Sequence, residues 1–198
     1  MGPMKETNCG AFDFSSEALS SDLSIVNLVG TFELGIELDL SQLSDDLDAK
    51  YEPENYPSMV YKAQNGLSLL VPTSGNAVLV GCQTFEGLKE GLNEFLEKIS
   101  ELGIELDVDI SSIEVQNIVA KGHLNQEVDL NALTIGLGLE NTEYEPEQFP
   151  GLIYRIESVV VLIFGSGNFV ITGANNIDSI NSAYDNIRKE LIKLGLIN

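Results

Sequence analysis

Apolar and polar residues alternate from Ser24 to Phe32 and again from Glu114 to Gly122, a period of two that predicts a strand opening each half of the chain. Ser41 to Leu47 and Asn131 to Leu139 then read as short helices or turns. The β-rich runs Leu67 to Val71 and Val159 to Phe164 each lead into Ser-Gly-Asn, and from there into Ala77 to Val80 or Phe169 to Thr172. A glycine-containing turn between two such runs predicts a hairpin. Each half closes on a long helix. Phe85, Leu88, Leu92, Phe95, Ile99 and Leu102 fall at spacings of three and four, as do Ile177, Ile180, Tyr184, Ile187, Leu191 and Leu194. Gly103 and Gly195 are natural stops.

The two series are copies of one another. Ile25-Val26-Asn27-Leu28-Val29-Gly30 returns as Val115-Gln116-Asn117-Ile118-Val119-Ala120, and Leu38-Asp39-Leu40 as Val128-Asp129-Leu130, both displaced by 90 positions. Tyr51-Glu52-Pro53-Glu54-Asn55-Tyr56-Pro57 reappears as Tyr144-Glu145-Pro146-Glu147-Gln148-Phe149-Pro150 at a displacement of 93, with the extra three residues in the preceding loop. Ser74-Gly75-Asn76 and Val80-Gly81 recur as Ser166-Gly167-Asn168 and Thr172-Gly173 at 92. The pattern is therefore two tandem α/β units, residues 23–109 and 110–198. The acidic, Ser-rich stretch 1–22 has little periodicity and is expected as a flexible tail. Helices on one side of an antiparallel sheet leave its other face open to a partner.

Composition adds limits more than direction. A chain of 198 residues, 43% of them hydrophobic, suffices for one large core or two small ones. No window approaches the roughly 18 apolar residues of a membrane span, and no basic start with a long apolar run marks a secretory signal. The expectation is an intracellular protein. Cys9 and Cys82 make neither a CxxC pair nor a disulfide framework, so free thiols are expected, one of them in the tail. His123 is the only histidine, which leaves no way to assemble a His-based metal site or a Ser-His-Asp triad. Gly136-Leu137-Gly138 lacks the Gly-Lys that would follow in a phosphate loop. Neither an enzyme nor a cofactor or metal is expected.

Charge is the unusual quantity. Against 10 basic residues stand 31 acidic ones, a formal net charge of −21 with a pI near 4.1. Residues 1–110 hold 20 acidic and 5 basic side chains, and 111–198 hold 11 and 5, so the halves carry −15 and −6. Such a field repels nucleic acid at low ionic strength. It is also the surface expected in a salt-rich cytoplasm, where a screening length of roughly 3 Å at 1 M removes most of the repulsion. Charge alone leaves both readings open.

Tyr144-Glu145-Pro146-Glu147-Gln148-Phe149-Pro150-Gly151-Leu152-Ile153-Tyr154-Arg155, followed by Leu162-Ile163-Phe164, Ser166-Gly167 and Ile171-Thr172-Gly173-Ala174, resembles the second repeat of the archaeal TATA-box-binding protein family. With Gln116-Asn117-Ile118-Val119 and the weaker first-half copy, the resemblance spans about residues 23–198. It implies an α+β saddle: two pseudo-symmetric repeats, a ten-stranded curved antiparallel sheet, and four helices on the convex face. It further implies a general transcription factor that lays the concave face on the minor groove of A·T-rich promoter DNA, bends it, and recruits transcription factor B and RNA polymerase. The setting would be the cytoplasm of a prokaryotic cell, at the nucleoid. This family is itself a standard instance of minor-groove binding in which apolar wedges kink the duplex.

If Asn117 faces the open side, alternation places Val119 and Lys121 there too, and Asn27, Val29 and Thr31 in the first copy. The resemblance assigns Phe149 and Phe164 as the wedge pair of the second repeat, Arg155 as a phosphate contact, and Val170 and Thr172 to the same face. It makes Glu145 and Glu147 the stirrup gripped by transcription factor B, with a second loop of that type at Glu52-Pro53-Glu54. Without it, Phe164 is equally a strand core residue and Asn117 a solvated strand amide.

The first copy departs from the family pattern. Tyr56 and Pro72 stand at its wedge positions, Val80 where threonine is usual, and Asn76 and Asn168 where lysines commonly follow Ser-Gly. Lys62, Lys121 and Arg155 are the basic residues left for the face, so weak affinity at low salt is expected. These departures and the net charge motivate an alternative: a divergent interaction protein that has lost productive DNA binding and uses the saddle for a protein partner or a homodimer.

Overall fold

The computed structural model describes residues 19–197. The chain runs β1 (Leu23–Glu33), α1 (Leu40–Asp46), β2 (Lys50–Glu52), β3 (Tyr56–Lys62), β4 (Ser68–Pro72), β5 (Asn76–Cys82) and α2 (Phe85–Glu101). A 3-10 turn at Ile110–Ser112 introduces the second copy: β6 (Glu114–His123), α3 (Leu130–Leu137), β7 (Thr142–Glu143), β8 (Gly151–Ile156), β9 (Val159–Phe164), β10 (Asn168–Ala174) and α4 (Ile177–Lys193). All ten strands form one antiparallel sheet in the order β2-β3-β4-β5-β1-β6-β10-β9-β8-β7. The two opening strands, β1 and β6, pair at its centre, so the duplication in sequence becomes a pseudo-dyad between them.

Apart from the edge strands β2 and β7 and from β8, the strands bury alternate residues, as a period of two requires when one face is covered. Leu28 and Phe32 of β1, Leu69 and Val71 of β4, and Leu79 of β5 point into the core beneath α2. Helix α2 meets them with Leu88, Leu92, Phe95 and Ile99. In the second copy Ile118, Val161, Ile163, Phe169 and Ile171 meet Ile180, Tyr184, Ile187 and Leu191 of α4. The predicted helical stripes are thus the buried stripes except at their ends, where Phe85 and Leu194 are half-buried and Leu102, the C-cap of α2, is exposed. Both long helices are capped alike: the Thr84 hydroxyl accepts from the Gly87 N–H at 3.0 Å, and Asn176 Oδ1 from the Ser179 N–H at 2.8 Å.

Three expectations shift. The second short helix stops at Leu137, two residues before Leu139, because Gly138 leaves helical geometry at φ 88°. The very short strands β2 and β7, invisible to any periodicity, form the two edges of the sheet, where brevity limits edge-to-edge pairing. The expected tail divides. Residues 1–18, including Cys9, lie outside the described residues, but Leu19 packs on the core and the Ser20 N–H donates to Asn181 Oδ1 at 3.0 Å. The Tyr184 hydroxyl donates to Asp22 Oδ2 at 2.7 Å, so the chain is anchored from Leu19 onward. Burial, with the Asp22 carboxylate beside it, pushes the Tyr184 hydroxyl up to about 12. Cys82 is buried on the core side of β5, and burial raises its thiol above the ordinary range.

Candidate nucleic-acid interface

The strand residues that do not enter the core line the helix-free face. Asn27, Val29 and Thr31 from β1 and Asn117, Val119 and Lys121 from β6 occupy its centre, each half-buried or exposed beside buried neighbours. Val29 sits opposite both Val80 and Asn117, and Asn27 opposite Val119. Val170 lies between Lys121 and Leu162, and Thr172 beside Val160. Pro72 and Phe164 occupy the outer ends of β4 and β9, and Lys62 and Arg155 the exposed positions of β3 and β8.

Six apolar residues of this face escaped the sequence reading: Val60, Leu70 and Val78 in the first copy, and Ile153, Val160 and Leu162 in the second. Leu70 pairs with both Val60 and Val78, and Leu162 with both Ile153 and Val170. A signal for them existed, since five lie two residues from a residue already assigned to the face and Val160 lies four from Phe164, all even steps along a strand.

A shared irregularity aims the two asparagines. Val26 and Gln116 are the unpaired residues of matching bulges, and Asn27 and Asn117 follow them directly. Asn27 Oδ1 accepts the Gly81 N–H at 3.0 Å, and Asn117 Oδ1 accepts the Gly173 N–H at 2.8 Å. With each amide oxygen occupied from within the sheet, both NH₂ hydrogens of Asn27 are left to donate to a partner on the face, and Asn117 keeps one after its contact with the Thr172 hydroxyl. Gly173 holds φ 93° and has the Ser158 carbonyl where a Cβ would lie 2.6 Å away, so the donor to Asn117 must come from glycine. The copies differ in one bond. Asn117 Nδ2 lies 3.2 Å from the Thr172 hydroxyl, whereas Val80, in the equivalent place, offers the Asn27 amide nothing.

The second copy also carries a built aromatic pair. Phe149 and Phe164 meet edge to face, with centroids 5.8 Å apart and an interplanar angle of 65°. Phe149 precedes β8 instead of lying in it; the turn that positions its ring has the Gln148 and Phe149 N–H groups both donating to the Glu145 carbonyl at 2.9 Å. Gly151 sits under both rings: a Cβ there would approach Phe149 to 2.8 Å and Phe164 to 3.0 Å. No such pair exists in the first copy. Tyr56 is 46% exposed with no aromatic partner among the described residues, Pro72 replaces the second ring, and Ser58 takes the place of Gly151.

The stirrup glutamates Glu145 and Glu147 are exposed in the same turn that orients Phe149, and the Glu145 carboxylate accepts from the Gln148 amide. In the first-copy stirrup Glu52 accepts from Asn55 Nδ2 at 3.0 Å and pairs with Lys50 at 3.1 Å, and these contacts lower its carboxyl. Arg155 is held 3.4 Å from Glu143 in an exposed pair, which leaves its guanidinium half engaged. His123, at the exposed end of β6, accepts the Asn125 N–H at Nδ1 at 2.8 Å and lies opposite Asn168.

Charge is segregated by face. Glu86, Glu90, Glu97 and Glu101 are exposed on α2, and Asp178, Asp185 and Glu190 lie on α4, all on the convex side. Across the central strands of the open face the side chains are aliphatic, amide or hydroxyl apart from Lys121, with Glu33 and Glu114 confined to strand ends.

A duplicated α+β saddle whose open face is apolar and amide-lined is the scaffold of a protein that works by binding, with a sheet face as its surface. The family model described as transcription factor TFIID, or TATA-binding protein, matches residues 22–102 and 112–194. TATA-box-binding protein B of Halobacterium salinarum is 46% identical over 184 residues, covering 91% of this chain and 98% of that protein. TATA-box-binding protein 1 of Haloferax volcanii is 45% identical over 180 residues, covering 89% and 95%. Among solved structures, the Methanococcus jannaschii TBP superposes with a TM-score of 0.78 at 35% identity, covering 87% of this chain and 99% of that one. The chain belongs to the TATA-binding protein family.

Proposed function

We propose that this protein is a general transcription factor that binds the minor groove of A·T-rich promoter DNA, bends it, and presents Glu145 and Glu147 to transcription factor B, and through it to RNA polymerase. The observation that carries the reading is the pair of amides at the pseudo-dyad. With their oxygens held by Gly81 and Gly173, Asn27 and Asn117 present donors. The minor groove of A·T and T·A pairs presents only acceptors, and the guanine amino group would meet donors and the surrounding valines unfavourably. Readout is therefore coarse, A·T against G·C.

Around that centre, Val29, Val80, Val119 and Val170 lie against the groove floor with Thr31 and Thr172 beside them. Phe149 and Phe164 enter a base step, where unstacking is offset by the extra surface a bent duplex brings into contact. Tyr56 and Pro72 occupy the matching place in the first copy. Lys62, Lys121 and Arg155 meet phosphates. No step requires a cofactor. Relatives named TATA-box-binding proteins at this level of identity favour this reading over an interaction protein that has abandoned DNA.

The test is fluorescence anisotropy with end-to-end energy transfer on a doubly labelled TATA duplex, titrated with protein at about 0.1 to 2 M potassium salt. Binding with a shortened end-to-end distance is expected. Asn117→Asp, which keeps the acceptor for Gly173 but replaces the outward donor, should cost roughly 10- to 100-fold in affinity with the fold intact. A duplex that stays straight and unbound throughout that range would sink the proposal.

A further inference from the structure

The central strands end differently on the two sides of the pseudo-dyad. At one end of the open face His123 lies opposite Asn168 and Lys121 opposite Ser24. At the other, Glu33 lies opposite Asn76 and Thr31 opposite Glu114. By the repeat displacements these are equivalent places: Lys121 answers Thr31, His123 answers Glu33, and Ser24 answers Glu114. The asparagines are common to both, so what differs is charge. Two carboxylates stand at one end, a lysine and the chain's only histidine at the other. The remaining cations of the face, Lys62 and Arg155, hold matching places in the two copies and do not tilt this balance.

The fold requires neither Lys121 nor His123, since it accepts Thr31 and Glu33 in the same places. Lys121 makes no ion pair among the described residues, and His123 is exposed and accepts the Asn125 N–H at Nδ1. Together with Ser24 and Asn168 they line an open cleft. The acid in that lining is Asp22, whose carboxylate accepts the Tyr184 hydroxyl of α4 at 2.7 Å. Strand β10 brings the neutral Asn168, and Glu127 follows in the exposed loop after β6.

Tyr56 and Pro72 lie toward one end of the sheet order, Phe149 and Phe164 toward the other. A duplex that meets both sets runs across the strands, and its two backbones pass the two ends of β1 and β6. One backbone then meets Lys121 and His123, the other Glu33 and Glu114. Histidine is the side chain whose ordinary change of charge falls between about pH 5 and 8, and a neighbouring phosphate favours its charged form. As a cation the ring donates from both nitrogens, so it gives up the Asn125 N–H and has two N–H groups for phosphate oxygens.

We propose that His123 joins Lys121 in a proton-dependent phosphate site for one backbone of the bound duplex, and that Glu33 and Glu114 leave the other backbone unheld at the equivalent place. The inference rests on the DNA-binding reading above. To that reading it adds control by pH and an inequality between the two strands of the duplex.

The test measures affinity of the full chain for a labelled TATA duplex by anisotropy, at about pH 5.5 and 8 and from about 0.1 to 1 M potassium salt. Parent, His123→Gln and His123→Lys are compared at each pH, so that titration of carboxylates elsewhere cancels. At the lower pH and 0.1 M salt the parent should bind roughly 5- to 10-fold more tightly than His123→Gln, with a slope of log affinity against log salt steeper by about one. At the higher pH the two should converge. His123→Lys should hold the gain at both, and Lys121→Gln should weaken binding at both while keeping the parent's response to pH. E33K/E114K, which places cations at the opposite end, should strengthen binding at both and steepen the slope by about two. An unchanged slope there would mean that no backbone passes that end, and would overturn the inequality of strands. A parent that binds and bends the duplex with the pH response of His123→Gln would overturn the site and leave the DNA-binding reading standing. A parent that binds at neither pH would refute both.

Discussion

At the scale of single residues, the open face depends on positions that look interchangeable in sequence. Gly151 reads as an ordinary residue before a strand, yet its missing Cβ is the space in which Phe149 and Phe164 meet. Gly151→Val should splay the rings and shorten or abolish the bend measured by energy transfer. Its cost in stability is about 1–3 kcal/mol, from crowding at a packed site. Ser58→Val, at the equivalent place in the first copy, lies under no ring pair and should leave the bend unchanged. Equal losses from both substitutions would mean that the aromatic pair is not what bends the duplex. The asparagines were legible because they recur 90 residues apart, and Phe164 because of the wording around it. That Asn27 and Asn117 direct their NH₂ groups outward was not legible, since the bond that decides it comes from glycines 54 and 56 residues away.

At the scale of elements, the long helices and central strands were readable because each extends over several periods, and their buried residues are those the spacing marks. The strands of two and three residues were not readable, because pairing with β8 and β3 defines them and two residues carry no period. The start of the fold was misplaced for a related reason: its anchors are polar and their partners lie on α4. Tyr184 is the test of that anchor. Its folded hydroxyl titrates at about 12, above the ordinary value near 10, first through burial and then through Asp22. A raised folded value favours the protonated form, so this stabilisation is complete below pH about 10 and is lost as pH rises through about 12. Thermal unfolding followed from pH 8 to 12 should show a downward limb that begins near 10 in the parent. In Tyr184→Phe the limb should be shallower and the starting stability lower. An unchanged limb would place the alkaline sensitivity elsewhere, with Tyr61, whose hydroxyl burial and Glu94 also raise, as the next group to examine.

At the scale of the whole molecule, the net charge of −21 and a DNA-binding face coexist because the sheet separates them. Acids on α2 and α4 stand at least a layer, about 10 Å, behind the concave surface. Their repulsion of the phosphates is therefore a long-range field and not a contact. At about 0.01 M salt, where screening extends roughly 30 Å, that field opposes binding; at 1 M, with a length near 3 Å, it does not reach. Replacing Glu86, Glu90, Glu97 and Glu101 by glutamine removes four charges from exposed positions on α2 while leaving the face untouched. Duplex affinity should rise several-fold at the lowest salt and converge on the parent by about 1 M. With few cations on the face, and Arg155 already shared with Glu143, counterion release supplies little of the opposing trend. The parent's affinity should accordingly fall only shallowly with salt, or rise. A constant gain for the glutamine variant at every salt concentration would contradict the separation of faces, because an effect that survives a 3 Å screening length has to act at contact.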